Sequence, residues 1–105
     1  MLLTTTPTVE GYPIQEYLGI VSGEVILGAN VFKDFTASLH DFFGGRATSY
    51  EDTLIEAKQN AMEEMEQRAM QAGANAIVGI DFDYETVGEK GSMLMVSCTG
   101  TAVRI

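Results

Sequence analysis

QAGANAIVGIDFDYE, residues 71–85, begins with the periodicity of a helix end and finishes with that of a strand. Upstream of Gly73 the apolar residues recur every three or four positions, and downstream they alternate. Val78, Ile80, Phe82 and Tyr84 then point one way, with Gly79, Asp81, Asp83 and Glu85 the other. A switch from a period of 3.6 to a period of 2 across a glycine places a helix directly before a sheet. It also raises a functional question: three carboxylates on alternate positions are either a ligand site or the wetted side of a strand.

Working upstream, residues 48–72 read as one long helix. Thr48 or Ser49 with Glu51 or Asp52 three places on supplies the opening cap. Leu54, Ile55, Ala61, Met62, Met65 and Ala69 form its apolar face, while Glu56, Asn60, Glu63, Glu64 and Gln67 lie opposite, and Glu64 pairs with Arg68 at i, i+4. A shorter helix precedes it from Asn30, with Phe32, Phe35, Leu39, Phe42 and Phe43 on one face and Gly44 and Gly45 ending it. Before that, residues 17–28 read as a strand in which Leu18, Ile20 and Ile26 share one parity; both faces are apolar enough to demand cover. The N-terminal LLTTT is a further short β-prone run, stopped by Pro7.

Downstream, VGEKGS at 87–92 connects to a last strand, MLMVSCTGTAVRI. Its face of Leu94, Val96, Cys98, Gly100 and Ala102 is small enough for a helix to approach closely. The order strand, strand, helix, helix, strand, strand predicts an α+β, two-layer fold: an antiparallel sheet packed against one long helix plus a shorter one.

The chain has 105 residues, enough for a single domain spanning 1–105 that buries roughly 65% of its unfolded surface. Its net charge is −9, and Lys33, Arg46, Lys58, Arg68, Lys90 and Arg104 are scattered, so neither a nucleic-acid backbone nor an anionic membrane surface is an expected partner. The first residues lack the basic start and apolar run of a signal peptide, and no run of eighteen apolar residues occurs. A cytoplasmic protein with a reduced thiol is expected. Cys98 is the single cysteine, which excludes an internal disulfide and a CxxC metal or redox pair.

Four ordered segments, GEVILGAN, GGRATSYEDTL, AGANAIVGIDFDYE and VSCTGTAV, resemble the YbjQ-like family of small proteins labelled heavy-metal-binding. The resemblance covers essentially the whole chain. It implies a dodecin-subunit-like fold and assembly into a homopentamer, and it brings no agreed set of functional residues.

The metal label can be weighed on this chain's own chemistry. A thiolate suits soft ions, but Cys98 shares a face with Val96, Gly100 and Ala102, where a cysteine reads as a small buried hydrophobe. Five thiolates around an axis, each at about 2.3 Å from an ion, would stand only about 2.7 Å apart, inside sulfur–sulfur contact. Five oxygens at about 2.4 Å would be roughly 2.8 Å apart, a spacing that calcium accepts. Asp81, Asp83, Glu85 and Glu24 are therefore the candidate ligands for a divalent metal ion, against the alternative of a solvated strand face.

The loop FGGRATSYE offers a second candidate, in which Gly44, Gly45, Arg46 and Tyr50 would hold a small-molecule ligand. It lacks the spacing and ending of a phosphate-binding loop. In the structural alternative the glycines end a helix and Arg46 makes an ion pair. His40 sits on the polar side of its helix with no second ligand at a suitable interval. Met62 and Met65 fall on a core stripe rather than in a metal box.

The functional expectation is a non-catalytic homo-oligomeric binding protein with a metal ion or small ligand at subunit junctions. The alternatives are an enzyme with an intersubunit site around the Gly-Gly-Arg loop and a purely structural or partner-binding ring.

Overall fold

A computed structural model of the chain describes residues 1–28 and 48–105. The expected shorter helix, with His40, Gly44, Gly45 and Arg46, lies outside the described residues, as does the Tyr50 side chain.

Among the described residues, four strands form one sheet: β1 (Leu2–Leu3), β2 (Glu16–Leu27), β3 (Ala76–Val87) and β4 (Met93–Arg104), in the order β1-β3-β4-β2. The helix α1 (Thr48–Gln71) packs on one face. The architecture is α+β, as expected, but the sheet is mixed. β2 and β3 each run antiparallel to β4, whereas β1 pairs parallel to β3 through Leu2 with Ala76 and Leu3 with Ile77. Alternation in so short a run carries no information about strand direction.

Gly73, at φ +87°, ends α1. Its N–H donates to Met70 O at 3.0 Å and that of Ala74 donates to Ala69 O at 3.0 Å, a Schellman closure. Two residues later the chain is already β3.

The core under α1 gathers Val21 from β2, Ala61, Met65 and Ala69 from the helix, Ile77 and Ile80 from β3, and Cys98 and Ala102 from β4. The helix sits very close to β2. A Cβ placed on Gly23 would lie 1.9 Å from the Ala61 carbonyl oxygen, so only glycine permits this approach. The small residues of β4 serve the same end, since a Cβ on Gly100 would meet Ile77 Cγ2 at 2.6 Å.

The helix face differs from the expected one at its N-terminal end. Ala57 is buried, whereas Ile55 is 53% exposed. β2 still runs alongside this part of α1, since Val25 and Leu27 line a hollow with Thr53, Glu56 and Ala57. Ile55, two residues or about 200° of rotation from Ala57, falls off the line of Ala57, Ala61, Met65 and Ala69 that is buried.

β3 contains a β-bulge. Val78 faces Thr101 and Asp81 faces Thr99, so Gly79 and Ile80 together stand opposite Gly100 alone. Gly79 adopts φ +64°, the left-handed conformation such a bulge uses. The N-terminal segment pairs with the outer edge here: Gly79 N–H donates to Thr6 O at 2.9 Å and Ile80 N–H to Thr4 O at 3.1 Å.

The bulge overturns the expected alternation. Val78 does not share a face with Ile80; it joins Ala76 and Val103 on the side away from the helix, covered by Val9, Ile14 and Ile105. A second irregularity, between Tyr17 and Gly19, likewise puts Leu18 against the helix-side core and separates it from Ile20. Ile20 and Ile26 are 86% and 56% exposed, so the described residues do not supply the cover expected on both faces of β2. Among the described residues, no helix is long and apolar enough to cross a membrane.

The close approach at Gly23 is testable by one methyl group. Gly23→Ala is expected to lower stability by about 1–3 kcal/mol or more, because a rigid carbonyl must move. Gly28→Ala, where a Cβ meets nothing within 4 Å, should leave the thermal midpoint nearly unchanged. Differential scanning calorimetry of the two variants checks both outcomes.

Candidate functional site

On the face of the sheet away from α1, the N-terminal segment and Ile105 cover only the end around Ala76, Val78 and Val103. Beyond the bulge the side chains of that face stand in rows across three strands. Directly opposed residues of antiparallel strands share a face, so the register places Asp81, Thr99 and Ser22 in one row, Asp83, Ser97 and Glu24 in the next, and Glu85, Met95 and Ile26 in the third. All four carboxylates named from the sequence thus lie on one face, and all four residues are exposed.

They do not converge. With strands about 4.8 Å apart, Asp83 and Glu24 are separated by roughly 10 Å between Cα atoms, across Ser97. Asp81, Asp83 and Glu85 follow one another at about 6.8 Å along β3. Among the described residues, no three His, Cys, Asp or Glu side chains are grouped closely enough to hold a metal ion.

The Glu24 carboxylate has a defined set of partners among the described residues. Ser22 Oγ donates to Glu24 Oε1 at 2.9 Å, and Arg68 Nη1 donates to Glu24 Oε2 at 3.2 Å. The same Arg68 nitrogen donates to the Ser22 carbonyl oxygen at 2.7 Å, and Nη2 pairs with Glu64 one turn back on α1. Arg68 therefore reaches the outer side of β2, the edge strand of the sheet among the described residues, and occupies a main-chain acceptor there. The Ser22 hydroxyl and then the Arg68 guanidinium hold the Glu24 carboxyl below its ordinary range.

The Glu64–Arg68 pair follows from helical spacing. The contact with Glu24 does not, since 44 residues separate the partners and no local pattern links them. Ser97 and Thr99 were likewise visible only as the polar alternates of β4, and register alone sets them beside the carboxylates.

Cys98 is 1% exposed, and its Sγ lies 3.8 Å from the Gly23 carbonyl oxygen, which it can reach only as a weak donor. Burial pushes its thiol up from the ordinary value. A raised, enclosed thiol is a poor soft-metal ligand. Lys58 Nζ stands 4.9 Å from the centre of the Phe82 ring and so belongs to the helix side of β3. A hollow of about 550 Å³ beneath the N-terminal loop, lined in part by Thr4, Thr6, Pro7 and Glu10, contains one carboxylate and no convergent set of titratable groups.

Two outcomes follow from these ionisations. Because the folded Glu24 carboxyl titrates below its unfolded value, its contribution is present above pH 4.5 and is lost as pH falls through the lowered folded value. Acid unfolding of Glu24→Gln should accordingly show a smaller loss of stability on descending from pH 5 to pH 3 than the parent chain. For Cys98, a thiol reagent at pH 8 should react with the folded protein at least about tenfold more slowly than with the denatured chain, followed by absorbance.

A family model described as "Putative heavy-metal-binding" matches residues 1–105. A UPF0145 protein of Clostridium botulinum (strain Eklund 17B / Type B) is 59% identical over 103 residues, covering 98% of this chain and 97% of the relative. A second, from strain Alaska E43 / Type E3, gives the same identity and coverage. Among solved structures, a protein of unknown function from Pediococcus pentosaceus ATCC 25745, assigned to the DUF74 family, aligns over 100% of this chain and 97% of its own with a TM-score of 0.55 and 20% identity. That likeness concerns the fold. The whole-length family match and the close relatives show that this chain belongs to the YbjQ family of UPF0145 proteins.

Proposed function

We propose that the chain is the non-catalytic subunit of a homo-oligomeric binding protein, a dodecin-like pentamer working in the cytoplasm, whose ligand is a divalent cation held by carboxylates at subunit junctions or on the symmetry axis. The observation that carries this reading is the common face of Asp81, Asp83, Glu85 and Glu24. One chain presents them in rows too widely spaced to chelate, so a site needs either a second chain or a cation drawn into a single row.

Two further observations support it. Tyr17, Ile20 and Ile26 along β2 are 70%, 86% and 56% exposed, and subunit contacts are the ordinary way to bury such a strand. The enclosed Cys98 turns the family's metal label away from thiolate chemistry and toward oxygen ligands, which suit hard ions. The number five rests on the family resemblance. An acidic surface without clustered cations fits neither nucleic acid nor an anionic membrane as partner.

Native mass spectrometry of protein purified without chelator, repeated after EDTA, tests the proposal. The expected result is a pentamer carrying a discrete metal mass that EDTA removes. Bare polypeptide mass at millimolar calcium would overturn the cation reading, and a monomer at micromolar concentration would overturn the assembly.

A further inference from the structure

β2 is an edge strand of the sheet among the described residues, free of proline and rich in Tyr, Ile and Val. An edge of that composition is a template for a further strand, because its outward N–H and C=O groups can bond an extended chain laid beside it. The same strand of a second copy is a well-matched chain for the purpose, since two copies of one edge can meet antiparallel about a two-fold axis. What the structure places on this edge is Arg68.

The guanidinium goes round the edge from one face of the sheet to the other. Arg68 belongs to α1, on the helix face, and its Nη2 pairs there with Glu64. Glu24 points to the opposite face, in the row with Ser97 and Asp83, whereas its neighbour Gly23 faces Ala61 of the helix. Arg68 Nη1 nevertheless donates to Glu24 Oε2 at 3.2 Å and to the Ser22 carbonyl oxygen at 2.7 Å. Between β2 and β4 the ladder itself shuts the way across, so a side chain that touches both faces has to pass outside β2. It lies in the lane, about 4.8 Å from β2, where an added strand would run. In an antiparallel ladder the N–H and C=O of one residue point the same way, so Ser22 turns both groups outward and Arg68 sits on one of them. The second lone pair of that oxygen does not reopen the lane, because the obstacle is the volume and charge of the guanidinium. Ser22 Oγ, at 2.9 Å from Glu24 Oε1, steadies the carboxylate on the far side.

We infer that Arg68 guards the outer edge of β2 against pairing with the β2 of a second copy. Such pairing would bring two sets of Glu24, Glu64 and Arg68 together, and each guanidinium would have to leave its carboxylates or be enclosed with them between strands. With side chains 46% and 41% exposed, the Arg68–Glu24 pair adds little to the stability of one chain. Its position matters more than its strength. The inference is independent of any bound ion. It leaves the outer face of β2, with Ile20 and Ile26, open to the subunit contacts proposed above, and closes the edge.

Sedimentation velocity of the full chain over a concentration series tests this role. Arg68→Gln, which removes the charge and shortens the side chain, is expected to form species of at least about twice the parent's mass as concentration rises, the step that two-fold pairing of edges gives. Arg68→Lys, which keeps a cation at the edge, should stay near the parent. Adding Ser22→Pro, which removes the outward N–H from the middle of the edge, should abolish the association of Arg68→Gln. Hydrogen exchange gives a reading that does not depend on how the proline variant folds: the Ser22 amide should exchange at least about tenfold more slowly in associated Arg68→Gln than in the parent. An Arg68→Gln chain that keeps the parent's mass overturns the inference. So does association that survives in a folded Ser22→Pro chain, or that leaves the Ser22 amide exchanging at the parent's rate, because the contact then lies elsewhere than on the edge.

Discussion

The bulge at Gly79 is the constraint on which the arrangement of both sheet faces depends. Ile77 lies beneath α1 and Val78 lies on the opposite side. Continued in strict alternation from there, β3 would carry Asp81, Asp83 and Glu85 into the helix-side core and turn Ile80 and Phe82 out to water. Burying three carboxylates without partners is prohibitive. One extra residue, in the left-handed conformation open to glycine, restores the match between chemistry and face. The N-terminal segment bonds the main chain at that point, through Thr4 and Thr6, so the irregularity does not leave the amides of Gly79 and Ile80 unpaired.

The same displacement divides the outer face of the sheet in two. Before the bulge, Ala76 and Val78 with Val103 make a small apolar patch under Val9, Ile14 and Ile105. After it, that face becomes a field of carboxylates and hydroxyls that the N-terminal cover does not reach. On the inner face, packing is governed by a different close approach. Gly23 lets the backbone of α1 settle on β2, and the small residues of β4 let Ile77 and Ile80 fill the space beside it. A helix seated this close to the edge strand brings Arg68 within reach of Ser22 and Glu24. The electrostatics of the outer edge therefore follow from packing on the inner one.

Much of this was legible from residue order. The change of period at Gly73, the end of the long helix, the small-residue face of β4 and the burial of Cys98 all follow from local pattern, because each reflects a repeat of 3.6 or 2 against one buried surface. The alternation of Asp81, Asp83 and Glu85 was legible too, and so was their exposure. The partnership of Val78 was not. A glycine within an alternating run is compatible with an ordinary strand, and only the pairing with β4 shows that Gly79 and Ile80 share one opposite residue. Ile55 lies off the line of Ala57, Ala61, Met65 and Ala69 that is buried, and which line of an amphipathic helix is buried is set by how it packs on the sheet.

By itself the sequence determined the class of fold, the main helix, the three long strands and the chemical character of each strand face. These depend on contacts between near neighbours in the chain, where spacing dictates geometry. The tertiary structure alone decided the parallel pairing of β1, the bulge, the rows that set Asp83, Ser97 and Glu24 across three strands, and the grip of Arg68 on Glu24. Each of these joins residues far apart in sequence, and their relative placement depends on register and on how closely the layers pack, neither of which leaves a periodic trace along the chain.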